Sequence, residues 1–326
     1  MSRAASGGFP SLPRHEESCV RGIVALRRLV ACVVFAFVLV NVAGAQEIEP
    51  RSYSNAPVGV NFVIAGFGYT RGGFPTDSGL PITDPHLETS NTVFAYARSL
   101  DLWGMSGKFD AIVPYTWLHG TADYAGQPVT RVVNGPGNPL FRLSINLYGA
   151  PALTLKEFSG YQQDLIVGAS LQVSPPWGQY DDERIVNIGT NSWRFKPEIG
   201  VSKALGTWTL EGTAAVTLFT DNNDFYGGNR RAQDPLYSIQ GHAIYSFSNG
   251  VWASADATWF AGGRTTLNHI SSDDLQQNSR IGATLAFPVN RYNSIKFALS
   301  SGVSARTGNN FDLIAIAWQH RWGGGL

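Results

Sequence analysis

The chain has 326 residues, of which 44% are hydrophobic, 12% are aromatic and only 15% are charged, and it contains 36 glycines. The charged fraction is well below the roughly 25% that is usual for soluble domains, and the many apolar residues argue against a disordered chain. Residues 1–45 carry five Arg and two Glu, so the remainder has 19 basic and 22 acidic residues, a net charge of about −3. This balance excludes a basic surface, and we expect no nucleic-acid partner.

The first 45 residues have the pattern of a secretory signal peptide. Three arginines between positions 21 and 28 precede an apolar run at 29–42, and the small residues 43–45 follow it. This order of basic, apolar and small residues predicts cleavage after position 45. We therefore divide the chain into a signal peptide at 1–45 and a mature domain at 46–326. Both cysteines of the chain fall in the segment to be removed, which excludes disulfides from the mature protein.

From residue 58 onward the sequence predicts an all-β chain. Segments of about 11 to 14 residues, rich in β-branched and aromatic residues, are separated by clusters of Gly, Asn, Asp and Pro. No Pro- or Ser-rich linker divides them, so we expect a single domain. The twelve predicted segments begin near Val58, Thr89, Lys108, Asn138, Tyr161, Ser192, Thr207, Leu236, Val251, Ser279, Ser294 and Asn310.

The joins between these segments alternate in length. Long polar joins and short joins follow one another along most of the chain, and this alternation is typical of outer-membrane barrels, whose short turns face the periplasm. An even number of strands also places both ends of the barrel on the periplasmic side. The long joins are predicted at 70–88, 121–137, 174–191, 220–235 and 262–278, and the short ones at 104–107, 204–206, 249–250 and 288–293.

Within the strands, apolar and polar residues alternate, as a strand between lipid and a lumen requires. In residues 193–202 the odd positions are mostly apolar, whereas the even positions are charged, serine or glycine. The same pattern recurs at 208–218 and 280–287. A soluble β-sandwich would also alternate, but the segments match the roughly 9 to 11 residues that cross a membrane, and tryptophans collect near their ends. We predict a transmembrane antiparallel up-and-down β-barrel of about 12 strands in the bacterial outer membrane.

Seven short motifs carry a resemblance to a known family. From about residue 53 to its end, the chain resembles the meta-pathway of phenol degradation family of outer-membrane β-barrel transporters. The resemblance implies a channel associated with the uptake of aromatic or other hydrophobic compounds. The motifs are Ser174–Asp181, Trp193–Gly200, Phe219–Asn222, Gln233–Tyr237, Gly262–Thr265, Asn278–Arg280 and Trp318–Trp322.

The Ser248-Asn249-Gly250 sequence allows one cross-strand contact to be derived. A three-residue hairpin loop with Gly250 in the left-handed conformation places His242 opposite Asp256. A two-residue turn would instead place the polar face of one strand opposite the apolar face of the other, and we reject it. We therefore predict a lumenal pair of His242 and Asp256, which is either a structural polar contact or a proton-sensitive latch or ligand contact.

Charged side chains of both signs are expected along the inner wall. Glu198 and Glu211 should lie close on adjacent strands, with Arg194 and Lys196 on the same face. This arrangement predicts either a mixed-charge constriction or a salt-bridge network that fills the narrow interior. Because no single sign dominates, we do not expect a strongly ion-selective pore. The residues predicted to line the lumen and a possible substrate path are Arg142, Arg194, Lys196, Glu198, Glu211, His242, Asp256, Arg280 and Lys296.

We expect no catalytic residues, no cofactor and no metal site. Ser248 lies six residues from His242, about 20 Å along an extended strand, which is too far for a serine nucleophile and its base. The histidines at positions 86, 119, 269 and 320 have no second ligand at metal spacing.

The sequence predicts an outer-membrane channel that passively passes small hydrophobic or aromatic molecules. The alternatives are a structural or adhesive barrel with a closed lumen, and an outer-membrane lipid hydrolase. The expected partners are the lipid bilayer, lipopolysaccharide, the outer-membrane assembly machinery and the solutes themselves. Aromatic residues predicted at the mouth would either dock an apolar ligand or belong to the outer aromatic girdle, and they are Phe67, Phe74, Trp177, Tyr180, Phe225 and Tyr226.

Overall fold

The structure of the protein is a computed structural model that describes residues 48–72, 82–307 and 310–326. The predicted signal peptide at 1–45 lies outside the described residues and stays a prediction. In the described part of the chain, no helix has the length and apolarity that crossing a membrane would need.

The described residues form strands joined by turns and loops, with one short helix. The strands are β1 (Val60–Gly72), β2 (Ile82–Leu102), β3 (Met105–Tyr124), β4 (Gln127–Pro136), β5 (Leu140–Tyr148), β6 (Leu165–Ser174), β7 (Arg194–Leu205), β8 (Trp208–Phe219), β9 (Asn222–Phe225), β10 (Asn229–Gln233), β11 (Leu236–Ser246), β12 (Trp252–Gly262), β13 (Thr265–Leu267), β14 (Ile270–Ser271), β15 (Gln276–Pro288), β16 (Asn293–Ala305) and β17 (Phe311–Gly323). Helix α1 (Leu155–Phe158) lies between β5 and β6.

Twelve antiparallel strands close into a barrel. The ring runs β1, β2, β3, β5, β6, β7, β8, β11, β12, β15, β16 and β17, and β17 returns to β1 through the pair Val60 and Gly323. A closed ring leaves no strand edge, so the backbone N–H and C=O groups of the wall are paired between neighbours, as lipid requires. The predicted twelve-stranded, up-and-down barrel is confirmed.

Strands β4 and β5 form one wall strand with a break at 137–139. Both pair with β3, where Ile112 is opposite Leu140 and Tyr115 is opposite Pro136. The partner strand therefore advances by four residues while β3 advances by three. The extra residue makes a β-bulge. The prediction of a long join at 121–137 is therefore wrong, because these residues continue the ladder of β3 and β4 around a tight turn.

Two further predicted loops, at 220–235 and 262–278, contain hairpins. Strands β9, β10, β13 and β14 form a separate four-stranded sheet, which extends the hairpins above the rim of the barrel. The opposite rim carries the short turns after β2, β7, β11 and β15 and both ends of the barrel. In outer-membrane barrels the short turns face the periplasm, so we name this the periplasmic rim and the other the extracellular rim.

The two faces of each wall strand differ in polarity. On β7, Ile199 and Val201 point outward and are 65% and 44% exposed, whereas Ser202 points inward and is fully buried. Strand β8 repeats this arrangement, with Leu210 exposed and Glu211 buried. The predicted lipid-facing and lumen-facing positions of these strands are confirmed, and the outer surface is an apolar belt suited to lipid.

Replacing Ile199 with Arg tests this orientation. Ile199 lies in the middle of β7, and an outward Arg near the bilayer midplane costs about 2–4 kcal/mol. The matched control is Ile270→Arg, because Ile270 is 75% exposed in the extracellular hairpin and lies outside the barrel wall. We expect a loss of this size in unfolding free energy for Ile199→Arg, and of about 0–1 kcal/mol for the control. Unfolding in urea with lipid vesicles measures both, and equal losses would contradict the assigned lipid face.

Candidate functional site: the barrel interior and its two openings

The predicted pair on the inner wall forms the centre of a buried polar cluster. The hairpin has the predicted register, with His242 opposite Asp256, and Gly250 has a φ of +80°. The Nδ1 atom of His242 lies 2.8 Å from Oδ1 of Asp256, and both side chains are buried. Ser254 and Thr284 donate to Oδ2 of the same carboxylate, at 3.0 and 3.3 Å. The predicted contact is confirmed, and the carboxylate is satisfied by three neighbours.

Residues 48–59, which we name the N-terminal strap, enter the barrel from the periplasmic rim. At its inner end, Glu49 forms a double hydrogen bond with the Arg142 guanidinium of β5, at 2.5 and 2.9 Å. Arg142 also donates to Asp110 of β3 at 2.9 Å. Burial acts to raise the pKa of Glu49, but the neighbouring Arg142 outweighs it, so the pKa lies well below its usual value. Glu49 therefore stays ionised at neutral pH, and the strap is held by charge.

Arg51, two residues after Glu49 in the strap, contacts strands on the other side of the barrel. The backbone N–H of Arg51 donates to Glu211 of β8 at 2.6 Å, and its guanidinium donates to Ser246 of β11 at 2.7 Å. The guanidinium also lies 4.9 Å from the centre of the Trp252 ring on β12. Ser202 donates to the other oxygen of Glu211. The strap thus crosses the interior from β5 to β12.

Tyr53 fixes the strap between β6 and β7. Its hydroxyl donates to Glu198 at 3.0 Å, and its ring lies against two glycines of the wall. A Cβ atom added at Gly168 or Gly200 would lie 2.3 or 2.1 Å from a ring carbon. The Tyr53 ring fits against the wall because neither of these positions carries a side chain. Tyr53 is buried there beside Ile166.

The predicted closeness of Glu198 and Glu211 is wrong. Glu211 pairs with Ser202, four residues along β7 from Glu198, so the two carboxylates lie at different heights. Each instead contacts a different residue of the strap, while Lys196 lies 3.2 Å from Glu198. The strap is a feature that the sequence motifs do not predict, although its alternating Glu49, Arg51 and Tyr53 could have indicated one inward face.

The other predicted lumen residues lie at separate heights of the wall. Arg280 donates to Ser300 and to the backbone oxygen of Phe311, and it stacks 3.7 Å from the Phe311 ring. Arg194 is half-buried at the extracellular end of β7, and Lys296 is exposed on β16 toward the periplasmic rim. The lumen therefore carries charges of both signs that are mostly paired. A role for these residues in a substrate path stays a prediction.

The extracellular opening is narrowed by residues 175–193, which we name the mouth loop. The Gln179 N–H donates to the backbone of Pro136 at 2.7 Å, and Arg131 donates to the Val186 oxygen at 3.1 Å, so the loop lies against the inner face of β4. The Tyr180 hydroxyl accepts from Asn222, which joins the loop to the β9 hairpin. The loop contains one motif of the family resemblance, at 174–181.

The aromatic residues predicted at the mouth have different positions. Phe67 and Trp177 are exposed, Tyr180 and Tyr226 are half-buried, and Phe225 is buried. Phe74 lies outside the described residues. In the part of the chain that the structure describes, no three His, Cys, Asp or Glu side chains converge as a metal site would need.

The comparisons with known proteins agree with this architecture. Residues 68–319 match the family described as "Putative MetA-pathway of phenol degradation". The chain belongs to this family. It is a β-barrel of the bacterial outer membrane, and its apolar belt contacts the lipid bilayer. No curated protein matches the sequence.

Solved structures with a similar fold include two barrels from other bacteria. The COG4313 outer membrane channel from Pseudomonas putida F1 is 16% identical, with 85% of this chain and 100% of that chain covered at a TM-score of 0.68. The transport unit of the autotransporter AIDA-I from Escherichia coli is 9% identical, with 86% and 94% covered at a TM-score of 0.50. At these identities the likeness shows the barrel fold and no more.

Replacing Gly200 with Ala tests the slot for Tyr53. The added methyl group collides with the ring, and overpacking of this kind typically costs about 1–3 kcal/mol. We expect the strap to leave its seat more often, so that trypsin cleaves after Arg51 about ten-fold faster or more in the folded barrel. Gly212→Ala is the matched control, because an atom there meets only a backbone oxygen at 3.9 Å.

The combination of Gly200→Ala with Tyr53→Ala separates this collision from other effects. Without the ring the methyl group has nothing to displace, so we expect no cleavage beyond that of Tyr53→Ala alone. A faster cleavage in the double variant than in Tyr53→Ala would show that Gly200→Ala acts by disturbing the wall and not by displacing the ring.

Asp256→Ala tests the buried cluster on β11, β12 and β15. The change leaves the His242 ring and two hydroxyls without their acceptor, and unsatisfied buried groups cost about 1–3 kcal/mol each. We expect a loss of about 3 kcal/mol in unfolding free energy, measured in urea with lipid vesicles. Asp164→Ala removes a carboxylate that is 79% exposed and paired with Lys203, and it should cost less than about 1 kcal/mol. Equal losses would exclude a structural role for the cluster.

Proposed function

We propose that the protein is a passive outer-membrane channel for small hydrophobic or aromatic molecules. The observation that carries this proposal is the match to the phenol degradation family over residues 68–319, on a closed barrel of twelve strands. The solved barrel from Pseudomonas putida F1 is an outer membrane channel by its description, and this supports the same role here.

The wall supports traffic of uncharged molecules better than traffic of ions. Arg142 faces Asp110 and Glu49, Lys196 faces Glu198, and His242 faces Asp256. Paired charges leave no strip of one sign along which an ion would be drawn. We therefore propose weak ion selectivity and a solute path that is set by shape.

A structural barrel with a closed lumen is the second candidate, and the N-terminal strap favours it. The strap crosses the interior with contacts on strands from β5 to β12, and the mouth loop lies across the other opening. We further propose that lipopolysaccharide and the outer-membrane assembly machinery are partners, as for other barrels of this membrane.

We also propose that the protein is not an enzyme. In the described residues, the Nε2 atom of His242 has no hydrogen-bond partner, so no serine hydroxyl lies where a base could activate it. Ser254 bonds to Asp256 and not to the imidazole. His242 therefore lacks the contact with a serine hydroxyl that the lipid hydrolase alternative would require of it.

Planar bilayer recordings of the refolded mature chain distinguish a channel from a structural barrel. We expect discrete conductance steps that phenol or toluene reduces. A variant with Glu49→Ala, Arg51→Ala and Tyr53→Ala should give larger steps, because it removes the side chains that hold the strap. The absence of steps in both proteins would contradict the channel. Steps in the variant alone would identify the strap as the closure.

A further inference from the structure

The extracellular opening contains a cavity of about 230 Å³ that lies apart from the N-terminal strap. It lies between the outer ends of β2, β3 and β4 on one side and the mouth loop on the other, and it is partly open to the outside. On these strands the cavity uses the inward positions, because Gly120 and Leu118 point to the interior while Trp117 points to the lipid. The side chains that shape it are Leu87, Tyr124, Val129, Ile185, Val186 and Tyr226.

We propose that this cavity, the mouth pocket, binds one uncharged aromatic molecule with a single ring. A cavity of about 150 Å³ that is lined with aliphatic and aromatic side chains is large enough for benzene. The mouth pocket therefore has room for one ring with small substituents, and it is too small for a lipid or a peptide. Its walls are the aliphatic side chains of Leu87, Val129, Ile185 and Val186 and the rings of two tyrosines.

The two tyrosines give the pocket a polar end. Tyr124 and Tyr226 both line the cavity. A phenolic hydroxyl both donates and accepts, so the ring hydroxyl of a ligand can exchange hydrogen bonds with the hydroxyl groups of these residues. This arrangement favours a hydroxylated ring over a plain hydrocarbon of the same size.

The charges at the rim of the pocket argue for an uncharged ligand. Arg131 lies 4.0 Å from Asp181, and Arg184 lies 3.9 Å from the same carboxylate. Arg131 also donates to the Val186 backbone. The two cations share one carboxylate, and Glu183 adds a second negative charge at the lining. These four charges cancel, so they offer no net attraction to an aromatic carboxylate, whereas a neutral phenol needs none.

The role of the mouth pocket as the first stop of a solute depends on the proposed function, but binding itself does not. We would titrate 4-fluorophenol into the refolded mature chain in lipid nanodiscs and follow its ¹⁹F NMR signal, with empty nanodiscs subtracted. We expect saturable binding that is at least ten-fold tighter than that of 4-fluorobenzoate at pH 7. Equal or tighter binding of the carboxylate would overturn the assigned ligand class.

Two valines of β4 provide a matched pair of variants. Val129 lines the pocket, whereas Val132 points outward and is 67% exposed. Val129→Phe should fill the cavity and weaken 4-fluorophenol binding at least ten-fold, and Val132→Phe should leave it unchanged. Circular dichroism and the heat-dependent gel mobility of the barrel verify that each variant is folded. Unaltered binding in folded Val129→Phe would overturn the site.

A third variant tests the polar end. Tyr226→Phe keeps the ring and removes one hydroxyl, so the preference for 4-fluorophenol over fluorobenzene should fall several-fold. An unchanged preference would overturn the role of the tyrosine pair.

The bilayer recordings separate this inference from the proposed function. Binding that Val129→Phe abolishes, in a protein that never conducts, would support the pocket and contradict the channel. Conductance that phenol blocks equally in the wild type and in Val129→Phe would support the channel and contradict the pocket.

Discussion

Every backbone N–H and C=O group of the wall must find a hydrogen-bond partner within the protein, and this constraint determines the rest of the structure. Because lipid offers no partner to N–H and C=O groups, the wall must close on itself, and it does so where Val60 meets Gly323. Closure gives every wall strand one face toward lipid and one toward the interior. The alternation of apolar and polar residues along β7 and β8 is the consequence, and it puts Lys196, Glu198 and Glu211 inside.

Charges inside a narrow barrel need partners, since removing them from water is expensive. The wall alone leaves several of them incomplete: Arg142 has Asp110 beside it, while among the described wall residues Glu211 accepts a hydrogen bond from the Ser202 hydroxyl alone. The N-terminal strap supplies the remaining groups through Glu49 and the backbone of Arg51. The strap and the inner wall therefore form one electrostatic unit, although they are far apart in sequence.

The features predicted correctly from sequence are those fixed by local rules. Strand faces follow from a two-residue period, and the contact of His242 with Asp256 follows from a three-residue loop between their strands. The separation of Glu198 from Glu211 also follows from a local register, because the short turn between Leu205 and Trp208 places Glu211 opposite Ser202. The contacts of these two carboxylates with the strap, more than 140 residues away, are what no local pattern encodes. The sequence predicts long joins in place of the β9–β10 and β13–β14 hairpins, because their polar residues lie above the membrane, where alternation is not required.

The wall and its two obstructions are held by different interactions. The wall depends on a ring of backbone hydrogen bonds that cannot open in lipid without leaving polar groups unsatisfied. The strap and the mouth loop are held mainly by side chains and single backbone contacts inside the polar interior. Separation of Glu49 from Arg142 breaks one ion pair, whereas separation of two wall strands breaks a whole ladder of backbone hydrogen bonds. Any change between narrow and wide states of this barrel therefore belongs to the strap and the mouth loop, while the wall stays fixed.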